Sequence, residues 1–222
     1  MSNDIEVQVF SAPEASYRVH RWATHLISLT DPGDTKFLVT SPRTDLYHLV
    51  LELADVTDPQ DPHAATPEHI QQLIAFGRDL PAGATLLCHC RGGIGRSPAA
   101  AAIALTARGM TPTGALDTVL GIRRQAQPNP WMLLLADEAL GRPANDGLFT
   151  ARLTWARPQP HWRPVSDKLV RDAVDGDHTA RRKLVAKQAH KRSGSQRPGV
   201  RCAQRPGDPA TAKRTTPEDG PP

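Results

Sequence analysis

The chain has 222 residues, with 27 basic against 23 acidic side chains and a net charge of +4. That length suits one ordinary domain with an extension, no apolar run is long enough to span a membrane, and three cysteines, Cys88, Cys90 and Cys202, do not make a disulfide framework. The charge is uneven: residues 151–222 hold 16 basic and 7 acidic residues and residues 1–150 hold 11 and 16, so a mildly acidic front precedes a basic back.

In chain order, Ile5-Glu6-Val7-Gln8-Val9-Phe10 alternates apolar and polar side chains, the period of a strand. Ser11 then offers an N-cap, with Pro13 just beyond, for a short helix toward Trp22. His25 to Leu29 reads as a second strand, stopped by the turn Asp31-Pro32-Gly33. Lys36-Phe37-Leu38-Val39 and Tyr47 to Leu53 are expected to be further strands. Thr66-Pro67-Glu68 has the order of a helix start: cap, proline, acid. The helix it opens carries Ile70, Leu73, Ile74 and Phe76 and ends near Leu80-Pro81. Ala84 to Cys88 is a short apolar strand. Pro98 to Leu105, five alanines among them, is a strong helix former. Another helix starts at Thr113 and ends in Arg123-Arg124, cations suited to a helix C-terminus. Pro128-Asn129-Pro130 is a loop, and Trp131 to Leu140 is a helix closed by Gly141. This order predicts an α/β fold with a central, mostly parallel sheet flanked by helices. The domain is expected over 1–142. Residues 143–222 read as a basic, largely disordered extension, because few large apolar side chains offset the entropy of ordering.

The chemistry is concentrated in His89-Cys90-Arg91-Gly92-Gly93-Ile94-Gly95-Arg96-Ser97. A thiol sits where a strand turns through a glycine-rich loop into a helix. The first N–H groups of a helix lack internal partners and carry the positive end of its dipole. Glycines at 92, 93 and 95 let the loop aim further N–H groups inward, and Arg96 adds a planar fork for two oxygens of a phosphate. A thiol in such a field is expected to lose its proton readily. With no Lys before Ser97, the loop is not a Walker-type nucleotide site.

The His-Cys pair, the Arg six residues after Cys90 and the strand-loop-helix flanks together resemble the signature of the cysteine-dependent protein tyrosine and dual-specificity phosphatases. The resemblance runs over about residues 5–142. It includes Pro128-Asn129 ahead of a helix, and the compact length and Leu53-Ala54-Asp55-Val56 look most like small bacterial tyrosine-phosphatase-like proteins. It implies phosphate monoester hydrolysis through a cysteinyl-phosphate, on a phosphorylated protein or small phosphomonoester, without metal or organic cofactor. Cys90 would be the nucleophile. Arg91, Gly92, Gly93, Ile94, Gly95 and Arg96 would hold the phosphate, and Arg96 would also spread its charge. Ser97 would bond the sulfur as it leaves, or merely cap the helix. His89 would orient the loop by hydrogen bonds. At Gly95, where relatives of this size often carry Ser, the mouth of the loop is expected to be more open.

An acid must protonate the leaving oxygen. Asp55, Asp58 and Asp61 are the candidates. Asp55 is preferred because it ends an apolar strand, whereas Asp58 and Asp61 precede prolines and look like turn formers. In the remaining alternative none of the three is catalytic. The sequence lacks the Trp-Pro-Asp triplet of the large tyrosine-specific enzymes. Cys88, two residues before Cys90 on one side of a pleated strand, is either a redox partner or a small core hydrophobe. Cys88-His89-Cys90 as metal ligands would need a second cluster, and no spacing supplies one.

Two rival functions stand beside hydrolysis by a protein phosphatase. One is a phosphate-binding pseudophosphatase that reads phosphorylated partners without turnover. The other is a phosphoinositide or nucleotide phosphatase, to which Arg91 would add a charge. The basic run Arg181-Arg182-Lys183, Lys187, Lys191-Arg192 could meet nucleic acid or acidic lipid. Without interleaved aromatic residues to stack bases it reads instead as a solvated tail. Met1 to Phe10 lacks the pattern of a secretion signal, and a free thiolate suits a reducing compartment, so a cytoplasmic location is expected.

Overall fold

The computed structural model describes residues 5–41, 43–143 and 145–154, together with Arg182 and Lys183. Four strands, β1 (Glu6–Ser11), β2 (His25–Thr30), β3 (Tyr47–Glu52) and β4 (Thr85–Cys90), form one sheet in the order β1-β4-β2-β3, every pair parallel. The two inner strands are covered on both faces, which is why β2 and β4 read as nearly unbroken apolar runs while β1 alternates.

Helix α1 (Ala12–Trp22) packs Ala15 and Val19 with Leu26 and Leu87 on one face of the sheet. Helices α2 (Pro67–Asp79), α3 (Arg96–Ala107), α4 (Pro112–Ile122) and α5 (Pro130–Ala139) share the larger core with Val9, Ile27, Leu29 and Leu86 of the other face. Helix α3 is buried from Arg96 through Thr106. Its small side chains let α2 approach closely: a Cβ on Gly77 would lie 2.7 Å from the Cα of Ala104. The cap at Thr66 forms as its sequence suggests, with His69 donating its N–H to Thr66 Oγ1 at 3.4 Å and accepting from the Thr66 N–H at 3.2 Å.

Two expectations are corrected. Residues 36–39 are not a strand. Asp34 Oδ1 accepts the Lys36 N–H at 3.0 Å and winds Thr35–Phe37 into one turn of 3-10 helix. Nor does the packed body stop at Arg142. Leu148–Thr154 forms α6, whose Leu148, Phe149 and Leu153 are buried in the larger core. The cap of α6 comes from α5: buried Asp137 accepts the N–H of Leu148 at 2.6 Å and of Phe149 at 2.9 Å. Most of the basic run lies outside the described residues, as does Cys202. Arg182, however, pairs with Glu138 of α5 and lies 5.5 Å from the centre of the Trp131 ring. No helix among the described residues is long and apolar enough to cross a membrane.

Because all four strands run the same way, the segments leaving them gather at one end of the sheet. Residues 31–37, 53–66 and 91–95 therefore meet beyond the carboxyl ends of the strands, where open α/β sheets place their ligands.

Candidate active site

Cys90 is the last residue of β4 and is buried beneath the loop that follows. Ser97 Oγ donates to Cys90 Sγ at 3.3 Å. Ser97 does not cap the helix, because Gly95 holds the N-cap position of α3. Its hydroxyl is therefore committed to the sulfur.

The loop is shaped by space as much as by backbone freedom. Gly93 has φ of +67°, and a Cβ there would lie 2.7 Å from the Phe10 carbonyl carbon and from the Ser11 nitrogen. No other residue fits. On the outer side Arg123 donates to the Gly92 carbonyl at 3.3 Å and to Glu14 at 2.9 Å. Glu14 in turn accepts the Ser11 N–H at 2.8 Å. The Arg123 hydrogen bond, above all, holds the Glu14 carboxyl down at about 2. Sequence reasoning saw in Arg123 only a cation at a helix end; its role as a brace for the loop joins residues 109 positions apart.

Arg96 is 3% exposed. Its Nη1 donates to the Leu53 carbonyl at 2.6 Å and forms an ion pair with Asp31 Oδ1 at 2.9 Å, while Nε is buried without a partner among the described residues. Asp31, read in the sequence as part of a turn, is thus an anchor for the guanidinium. Arg91 points outward, its guanidinium 4.8 Å from the centre of the Phe37 ring, a cation–π distance.

Of the three candidate acids, the fold brings Asp55 to the loop. Its carboxylate lies against Gly95 and accepts from Asn129 Nδ2 at 2.9 Å. The mouth beside Gly95 is therefore not more open, as the missing side chain suggested: the Asp55 carboxylate fills that space. Asp58 and Asp61 make the turns expected of them, accepting the N–H of Gln60 at 3.0 Å and of His63 at 2.8 Å. Asn129, read in the sequence as a loop residue ahead of a helix, does four things. Its Oδ1 caps α5 through the N–H groups of Trp131 and Met132, its Nδ2 also donates to the Val56 carbonyl at 3.0 Å, and its own N–H donates to the Gly95 carbonyl at 3.1 Å. Arg152 of α6 supports the same loop by donating to the Pro128 carbonyl at 2.7 Å.

His89 faces away from Cys90, as strand alternation requires. Its hydrogen bond runs sideways to β2 and not forward to the loop: Nε2 lies 2.6 Å from Ser28 Oγ, and Nδ1 has no partner among the described residues. Burial, with smaller contributions from His48 and Arg96, pulls its pKa down to about 4. Cys88 is fully buried between Val9 and Ile27 on the neighbouring strands, and burial pushes its thiol up. It packs as a small hydrophobe. Among the described residues no group of three or more His, Cys, Asp or Glu side chains could hold a metal ion.

No family model matches the sequence. No curated protein matches it either. Among solved structures the chain is similar to human DUSP28, with 22% identity over 61% of this chain and 93% of that one and a TM-score of 0.47. It is similar to PTPMT1 in complex with PI(5)P, with 20% identity over 60% and 88% and a TM-score of 0.47. It is also similar to Tk-PTP in the active form, with 20% identity over 64% and 94% and a TM-score of 0.45.

Proposed function

We propose that the chain is a cysteine-dependent phosphatase of the protein tyrosine and dual-specificity type, hydrolysing phosphate monoesters through a cysteinyl-phosphate. The observation that carries this reading is the pairing of a buried Cys90, hydrogen-bonded by Ser97 at 3.3 Å, with the Asp55 carboxylate held at the rim of the same loop. The Cys90 thiolate attacks phosphorus in line. The sulfur–phosphorus bond forms, the ester bond breaks, and the leaving oxygen takes a proton from Asp55. Asp55 then accepts a proton from water as that water attacks phosphorus. Sulfur departs as a thiolate stabilised by Ser97, and inorganic phosphate is released. Throughout, the loop amides and Arg96 offset charge on the equatorial oxygens. The substrate in this reading is a phosphorylated protein, phosphotyrosine first, in a reducing cytoplasmic setting.

The test is release of phosphate from p-nitrophenyl phosphate in the presence of a chelator. Activity is expected and should vanish in Cys90→Ser. Undiminished activity of that variant, or an absolute need for a divalent ion, would overturn the mechanism. Phosphate binding without turnover by the intact chain would make it a phosphate reader.

A further inference from the structure

We infer that Gly95 is a positioning residue for the general acid: the Cβ it lacks is the space in which the Asp55 carboxylate sits. The inference rests on the reading of Asp55 as that acid. The φ of −104° and ψ of −71° at Gly95 lie on the side of backbone space open to residues with a side chain. Nothing in the chain path demands glycine. A Cβ built there would nevertheless lie 2.5 Å from Asp55 Oδ1 and 2.7 Å from its Cγ, with Oδ2 closer still. All of the nearest atoms belong to this one carboxylate.

The other two glycines of the loop differ. Gly93 is required by a positive φ and by the backbone of Phe10 and Ser11. At Gly92 a Cβ would meet only the side chain of Ile94, at 3.7 Å. Gly95 alone of the three is shaped by an acidic side chain that arrives from 40 residues earlier in the chain.

Asn129 makes the arrangement specific. It donates its N–H to the Gly95 carbonyl at 3.1 Å and its Nδ2 to Asp55 Oδ1 at 2.9 Å. One residue thereby fastens the carboxylate to the loop position that has room for it. Asp55 makes no other hydrogen bond or ion pair among the described residues. A methyl group at 95 would turn the carboxylate out of this place and break the bond to Asn129. The cost to the fold should be small, because the overlapping atoms are the end of an exposed side chain and not packed backbone.

The experiment uses the full chain as wild type, Gly95→Ala, Asp55→Asn and the double variant, with kcat/KM measured for aryl phosphates spanning good to poor leaving groups. Melting temperatures report folding. Gly95→Ala should reproduce the pattern of Asp55→Asn: a loss of ~10²–10⁴-fold on poor leaving groups, a smaller one on activated phenols, and a flattened basic limb of the pH profile. The double variant should be no worse than Asp55→Asn alone. If Gly95→Ala keeps the wild-type dependence on the leaving group while Asp55→Asn loses it, Gly95 does not position the acid and the phosphatase reading stands. An equal loss on every substrate would mean a deformed loop and also overturn the inference. If Asp55→Asn itself leaves the dependence unchanged, the assignment of the acid fails and the inference falls with it.

Discussion

Replacing Arg96 by lysine keeps the charge and should nonetheless disable the loop. Nη1 is held on the protein side, hydrogen-bonded to the Leu53 carbonyl at 2.6 Å and ion-paired with Asp31 at 2.9 Å. Nε is buried without a partner, so the Nε–Nη2 edge is the part of the fork left for two oxygens of a phosphate. A lysine ammonium is a single point on a flexible stem. It can meet Asp31 or the phosphate, but it cannot span both. Two charge-assisted hydrogen bonds at about 1.5–3 kcal/mol each amount to roughly 3–6 kcal/mol, a loss of about 10²–10⁴-fold. Vanadate inhibition and kcat/KM on p-nitrophenyl phosphate should fall together by that factor. Asp31→Asn should cost only about tenfold, since it removes an ion pair while the hydrogen bond to the Leu53 carbonyl still holds Nη1. Vanadate affinity of Arg96→Lys within threefold of wild type would refute the account of the guanidinium edge.

Two further outcomes concern the fold. Asp137→Ala should lower stability by about 2–6 kcal/mol, because it strands two buried N–H groups at the start of α6. The urea midpoint should drop with an unchanged m value, and a chain ended after Arg142 should lose its cooperative melt; a melt matching the full chain would show α6 to be dispensable. His89 ties stability to pH. Its pKa falls from 6.5 to about 4 in the fold, so the unfolded chain binds the extra proton between those values. The contribution of His89 is therefore full above pH 6.5 and declines by roughly 3 kcal/mol as pH falls toward 4. His89→Gln should reduce that slope in urea melts across the window, leaving the part that comes from His25, His48 and His69, whose burial also lowers their pKa; an unaltered slope would rule out His89 as a source.

What could be read from the sequence was local in origin. The strand, glycine loop and helix around Cys90 occupy consecutive residues, and their order alone dictates a thiol facing helix N–H groups. The inner strands announced themselves as apolar runs, and Thr66-Pro67-Glu68 as a helix start. The misread stretches have remote or competing causes. Lys36 to Val39 has strand-like residues, but Asp34 captures the Lys36 N–H and closes a turn. Helix α6 has only seven residues, and its cap stands 11 positions upstream on another helix. Asn129 reaches Asp55 across 74 residues, and Arg96 reaches the Leu53 carbonyl across 43. No spacing rule in a linear sequence encodes such pairs. They exist because parallel strands deliver their following segments to one end of the sheet.

Ser28 lies under two imidazoles at once, 2.6 Å from His89 Nε2 and 2.7 Å from His48 Nε2. A hydroxyl carries one hydrogen. It can donate to one ring and must accept from the other. The two histidines are therefore locked into opposite tautomers at Nε2: when one nitrogen bears a hydrogen, its counterpart does not. His48 belongs to β3, one of the two outer strands of the sheet. A proton added there at Nε2 obliges the ring to donate to Ser28, turns the hydroxyl toward His89 and shifts the hydrogen of that ring to Nδ1. The ionisation state at the rim of the sheet is thus written, two hydrogen bonds away, into the imidazole next to Cys90.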